Sequence, residues 1–383
     1  MAGATRLQGA KATLSPHDKE LAGSALSLRD RALAALDAGD PRVAAALADQ
    51  GLTALNAANL LGGPDEAAVL VARAEIEEAL DRFAGARASA ARAIALLGGE
   101  TAPGAQDGDC LLLWCQAQER LAGLERLGGD HDGAIARLTI VLDIASEAFG
   151  ESSPAVVSAA NSLGVVYKFA ADFGAAEAAY QRALKAAGGI ASADPLTRAD
   201  LLHNLGGLAH SRGDAEAGIQ LAERGLALRV GALGADHPDV ARDNNALGAL
   251  YHLAGRYRDA DIAYRQALAV FESSYWPDHF EVAMTCANLA VLCADQERFA
   301  AAESHGRRAL RIFEAVLGPG DAETGLTVLN LATAVAGQGR RAEAARLATR
   351  AESTLVARLP AGHPHLAAAR ASREALAYLA QAS

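Results

Sequence analysis

The sequence predicts an all-α fold, an α-solenoid of about eight helix pairs closed by a C-terminal capping helix. Three observations lead there. A leucine recurs every 42 residues, at Leu121, Leu163, Leu205, Leu247, Leu289 and Leu331, each followed by Gly or Ala. Small residues recur thirteen positions later (Ala134, Ala176, Gly218, Ala260, Ala302, Ala344), and seven further on stands a second, mostly small column (Val141, Ala183, Gly225, Ala267, Ala309, Ala351). Small side chains at fixed positions let helices approach closely. Half of the 383 residues are apolar but only 4% are aromatic, which suits packed helices better than β-rich folds. Self-similarity at a fixed period marks a stacked array, so length here counts repeats and not globules.

The elements follow in order. Residues 1–19 are polar and expected to be a mobile N-terminal segment; the solenoid is expected over residues 20–360. The first repeat is the weakest, carrying a Gly39-Asp40 turn in which Gly ends one helix and Asp caps the next. The second small column extends upstream to Gly51 and Ala93, and the second repeat carries Glu77, Glu78 and Asp81, read as a solvated acidic face. Six extra residues before Val141 fall in a Gly-rich insertion, 98–108. The third and fifth repeats turn at Gly129-Asp130 and Gly213-Asp214, while Pro154 and Pro238 open first helices of the fourth and sixth. The seventh repeats the sixth from Phe280, and its loop Tyr275-Trp276 reads as packing between repeats or as an aromatic contact for a partner. The eighth departs, with Arg341 where Tyr257 and Phe299 stand and Glu352 where Leu268 and Leu310 stand. A capping helix at 361–383, opened by Pro364, would close the exposed end.

Leu247-Gly248, Tyr251, Gly255, Tyr257, Ala260, Tyr264 and Ala267 resemble the signature of the tetratricopeptide repeat. The 42-residue period and phrases such as HPDV and DNNALGALY are similar to the longer variety found in kinesin light chains and many bacterial proteins. The resemblance covers roughly residues 20–360. It implies a right-handed superhelix whose first helices line a concave groove that binds extended peptides or partner segments.

Candidate groove residues follow from helix geometry. With about 100° of rotation per residue, Leu247 and Tyr251 mark the buried side, while Asn245 and Arg242 point away from it. The corresponding positions give Arg126, Asn161, Lys168, Asp200, His203, His210, Arg242, Asn245, His252, Met284, Val291 and Asp295 as the candidate ligand-binding set. The middle of this set is polar and leans positive, whereas the stretch from Met284 to Leu329 is apolar. Asn amides donate to and accept from a peptide backbone, and Arg or Lys can meet a carboxylate, so an extended or acidic segment is the expected ligand. A helix face exposed to water also has to be polar, and that explanation stays open.

His203, His210 and His252 with Asp200 are expected on one patch. Seven residues span about 10 Å along a helix, too far for His203 and His210 to share a metal at about 2 Å; a His210 and His252 pair from neighbouring helices is less strained, but no cofactor is expected. Cys286 and Cys293 are expected in the core, and Cys110 and Cys115 form no CxxC pair. The GxxxxGK[ST], GxSxG and HExxH templates do not occur.

A formal charge of −11 disfavours nucleic acid and anionic lipid as partners, and no long apolar run suggests a membrane span or signal peptide. A cytoplasmic protein with reduced thiols is expected, with self-association open. The first functional expectation is a protein-interaction scaffold. The second is a regulator sensing a peptide or metabolite. The third is an unconventional enzyme using His203, His210, Asp200 and Lys168 for acid/base or anchoring work.

Overall fold

In the computed structural model, residues 16–37, 39–100, 102–103, 107–190, 194–359 and 364–381 are described. Among them are seventeen α-helices and no strand. The chain divides into two compact units, residues 1–193 and 194–383. The N-terminal unit contains four helical hairpins: α1 and α2 (Pro16–Asp37, Pro41–Ala57), α3 and α4 (Pro64–Ala79, Phe83–Leu96), α5 and α6 (Gly108–Leu127, His131–Phe149), α7 and α8 (Pro154–Phe169, Phe173–Gly188). The C-terminal unit contains four more and a last helix: α9 and α10 (Pro195–Arg212, Ala215–Leu233), α11 and α12 (Pro238–Leu253, Tyr257–Ser274), α13 and α14 (Phe280–Asp295, Phe299–Val316), α15 and α16 (Ala322–Gly337, Arg341–Val356), and α17 (Pro364–Gln381).

Each unit is a stack. Every first helix packs on its own second helix and, within its unit, on the first helix of the next hairpin, giving the series α1–α3–α5–α7 and α9–α11–α13–α15–α17. Such stacking of like elements is the all-α solenoid architecture.

The turns form for local reasons. Gly39, Gly129 and Gly213 adopt φ of 79°, 84° and 78°, a region that costs a Cβ-bearing residue energy. Asp40, Asp130 and Asp214 then cap α2, α6 and α10 by accepting hydrogen bonds from the backbone N–H groups of Val43, Gly133 and Ala217. Pro64, Pro154, Pro195 and Pro238 stand at helix starts, where the missing N–H costs nothing.

Packing explains the repeated columns. All six period leucines are buried, as are both small columns behind them. In several repeats the residue seventeen positions after the leucine is the one its Gly or Ala neighbour must accommodate. A Cβ on Gly164 or Gly248 would lie 2.6 or 2.7 Å from the ring of Tyr180 or Tyr264. Where the facing residue shrinks to Gly306, the column admits Ala290, whose Cβ would stand 3.8 Å from an added one. Size is therefore traded across these three hairpins, which keeps packing dense.

The boundaries shift in places. Helix α1 begins at Pro16, so residues 16–19 belong to a helix, and residues 1–15 lie outside the described residues. In the Gly-rich insertion, residues 101 and 104–106 also lie outside them, and Gly108 already opens α5. The reading of Glu77 and Glu78 as a solvated face is corrected. Glu77 is 6% exposed and accepts hydrogen bonds from Ser89 (2.9 Å) and Arg73 (3.0 Å). Glu78 is partly buried, and its Oε1 has no hydrogen-bond partner. The α4 helix covers Glu77 and α5 brings Arg120 and Arg126 near Glu78, which periodicity within α3 alone does not reveal.

Candidate partner-binding surface

The first helices of the C-terminal unit carry polar side chains that pair from one repeat to the next. On α9, the His203 Nδ1 lies 2.8 Å from Asp243 Oδ1 on α11. Asp243 is itself 4% exposed and accepts from Arg229 Nε on α10 at 2.7 Å, while Arg229 Nη2 donates to Asp200 at 2.8 Å. One buried guanidinium thus joins α9, α10 and α11. Between α11 and α13, Asn288 Nδ2 donates to Asn245 Oδ1 (3.2 Å), His252 Nε2 lies 2.8 Å from Asp295 Oδ2, and Arg242 Nε donates to Glu281 (3.2 Å). These side chains are held in place before any ligand arrives, which lowers the cost of ordering them on binding.

The predicted histidine patch resolves differently. His203 pairs with Asp243 and His252 with Asp295, while Asp200 is engaged by Arg229. The partner of His203 is Asp243, a residue missed in the sequence because it lies on the buried side of its helix. With Nδ1–H donating to Asp243, a neutral His203 keeps Nε2 as an acceptor. His210 is exposed on the last turn of α9. Among the described residues no group of three or more His, Cys, Asp or Glu is arranged to hold a metal ion.

Other predicted residues are less available than the sequence suggests. Met284 packs partly buried against the core of Phe271, Val282 and Phe313, and Val291 is also partly buried. Leu329, from the apolar stretch, is 8% exposed and belongs to the core with Leu355 and Leu366. Arg242 is tied to Asp239 as well as Glu281. In the N-terminal unit, Arg126 lies 4.5 Å over the ring of Phe169, and burial holds its guanidinium below the ordinary value. Lys168 is likewise held down by burial, and Asn161 on the same helix is partly buried. The expected positive lean is thus largely neutralised or desolvated.

The N-terminal unit has instead a recess of about 890 Å³ walled by α1, α3, α5 and α7. Leu26, Leu33, Val71, Leu112 and Leu113 give it apolar walls. Its carboxyls are Asp65, Glu75, Asp107, Asp109 and Glu119, against Arg29 and Arg120. Both arginines are already paired, Arg29 with Asp30 and Arg120 with Glu75, each at 2.6 Å. Glu119 Oε2 accepts from the hydroxyls of Ser158 (2.6 Å) and Ser162 (3.2 Å), and burial pushes its carboxyl up to about 7.

The four cysteines are free and buried. Burial raises the Cys286 thiol to about 11 and the Cys115 thiol to about 12, so both stay protonated and act as small apolar side chains. Tyr275 stacks on His279 at 4.0 Å and packs on the α12–α14 core, whereas Trp276 beside it is 64% exposed.

A family model described as tetratricopeptide repeat matches residues 115–188, 197–273 and 281–355. The chain belongs to the tetratricopeptide repeat family. No curated protein matches it. Among solved structures, it is similar to a signal transduction ATPase with a tetratricopeptide repeat sensor from Pyrococcus horikoshii. That similarity has TM-score 0.62 at 14% identity, over 92% of this chain and 50% of that one. It is also similar to the apo form of RapI, with TM-score 0.57 at 14% identity, over 82% and 86% of the two chains. BtubC from P. vanneervenii is 22% identical over 68% of this chain and 92% of its own, with TM-score 0.46. At these identities the likeness shows the tetratricopeptide repeat fold alone. A tetratricopeptide repeat array is a scaffold typical of protein–protein interaction, and among the described residues no helix is long and apolar enough to cross a membrane.

Proposed function

We propose that this chain is an interaction scaffold whose first-helix face in the C-terminal unit holds an extended segment of a partner protein. The observation that carries the reading is the Asn245–Asn288 pair, two amides joined at 3.2 Å on successive first helices, flanked by His203 and His252. Each Asn retains donors and acceptors beyond that bond, and an extended backbone presents complementary groups along its length. Each histidine already faces a carboxylate, Asp243 or Asp295, so backbone contacts and not strong attraction to one sign would dominate here.

A peptide-display selection against the intact protein tests the reading. Selected peptides should lose about ten-fold or more in affinity for Asn245→Ala/Asn288→Ala, with helicity and melting temperature unchanged. Peptides that bind the variant as well as the parent would place the binding surface elsewhere.

A further inference from the structure

The recess in the N-terminal unit points to a ligand chemistry opposite to the one expected from the sequence. Its lining carries five carboxyls and two guanidiniums, and both guanidiniums are engaged. Asp65 and Asp109, in the first turns of α3 and α5, belong to no ion pair among the described residues. Each favours its helix N-terminus, which explains its residue type but leaves its charge facing the recess uncompensated by a cation. Glu119 is different, since it stands mid-helix where no backbone N–H needs an acceptor. Two hydroxyls alone hold it from α7. The same walls supply apolar surface from Leu26, Leu33, Val71, Leu112 and Leu113.

Shape adds a second constraint. Four first helices contribute to the lining, and neighbouring helices pack about 8–10 Å apart, so the recess runs roughly 25–30 Å across the stack. That is about eight residues of extended chain. We propose that this recess binds an extended basic segment of a partner protein, in which Lys or Arg residues meet Asp65, Asp109 and Glu119 while apolar residues between them lie on the leucine walls. The inference deepens the scaffold reading by giving the partner a charge, and it concerns a different unit from the Asn245–Asn288 surface.

Glu119 gives the site a signature. Burial pushes its carboxyl up to about 7, and Arg120 on its own helix, Glu75 on α3, Arg29 on α1 and the Ser158 and Ser162 hydroxyls on α7 line the same recess. A bound cation favours the ionised form, so basic peptides should bind more tightly as pH rises from about 6 to 8.

The test is fluorescence anisotropy with the full chain and a labelled peptide of alternating Lys and Leu, beside the same peptide with Glu for Lys. Binding is expected for the Lys peptide only, about ten-fold weaker with Asp65→Asn/Asp109→Asn, and blocked by Leu112→Arg, whose parent side chain is 38% exposed and tolerates the change. Neutralising Asp132 and Glu216, outside the recess, should leave affinity unchanged, and Glu119→Gln should remove the pH dependence. Equal loss from the Asp132/Glu216 control, or equal affinity for the Glu peptide, would overturn the proposal. So would spermine competing as well per charge as the peptide, because then no extended chain is required. Asn245→Ala/Asn288→Ala should not affect the basic peptide. Failure of the Lys peptide with survival of the display-selected ones removes this inference alone, and failure of both removes the scaffold reading.

Discussion

At the scale of single residues, glycine positions sort into those that must stay small and those that need not. Gly248→Ala drives a methyl to 2.7 Å from the buried Tyr264 ring, so it should destabilise by about 1–3 kcal/mol. Gly306→Ala meets nothing closer than 3.5 Å and replaces a helix-interior glycine, so it should stabilise by roughly 0.5–1 kcal/mol. Urea denaturation of the two variants measures both signs. Arg229 is a second case. Arg229→Met leaves the Asp243 carboxylate buried without its guanidinium and should cost about 3–5 kcal/mol, much of it recovered in Arg229→Met/Asp243→Leu. Differential scanning calorimetry of the pair checks this. Glu119 supplies a pH dependence. Its folded value lies above the unfolded one, so the native state holds a proton that the unfolded chain has released between about pH 4.5 and 7. Stability then falls across that window, by roughly 2–3 kcal/mol, and Glu119→Gln should flatten the fall in melting temperature against pH. The glycine columns were legible in the sequence because they repeat. Arg229 with Asp243 was not, since neither residue repeats in its column.

At the scale of elements, the last hairpin shows how an apparent irregularity becomes specific. Glu352 replaces the leucine of earlier repeats, and in the structure it pairs with Arg373 and, at 3.6 Å, with Arg370 of α17. Leu366 and Ala369 of the same helix cover Val328 and Leu355. The substitution therefore marks where a full repeat gives way to a single closing helix. Truncation after Leu359 should expose that apolar face, lowering the first melting transition by several degrees and promoting self-association, as read by scanning calorimetry and light scattering. The sequence showed the departure from pattern, but its partner lay eighteen residues or more away on another helix.

At the scale of the whole molecule, an array whose repeats contact only their neighbours should lose one repeat without losing its fold. Deleting residues 280–321 removes one 42-residue period, α13 and α14 with the following loop. Asn330 then takes the register of Asn288 beside Asn245, and Arg340 that of Arg298 beside Asp261. The shortened chain should keep its helicity per residue by circular dichroism and still unfold cooperatively; loss of helicity per residue would show that longer-range contacts hold the C-terminal unit. Charge behaves differently at this scale. The sequence average of −11 disfavoured nucleic acid, yet the individual groove positions suggested a positive surface. The N-terminal recess collects carboxyls from α3 and α5, which lie on separate repeats and share no obvious column.

What the sequence by itself determined is everything periodic: the helix pairs, their 42-residue register, the Gly-Asp turns and the family. Periodic features survive because each repeat makes the same contacts with the next, so the same side-chain sizes are required each time. Only the tertiary structure decided which polar groups face each other, because those partners are single residues brought together from different helices. Their charge, burial and hydrogen bonds depend on neighbours about 40 residues away in the chain, as with His203 and Asp243 or Glu119 and Ser158. Helical periodicity assigns a residue to a face, but the neighbouring helix decides whether that face is solvent, a salt bridge or a recess.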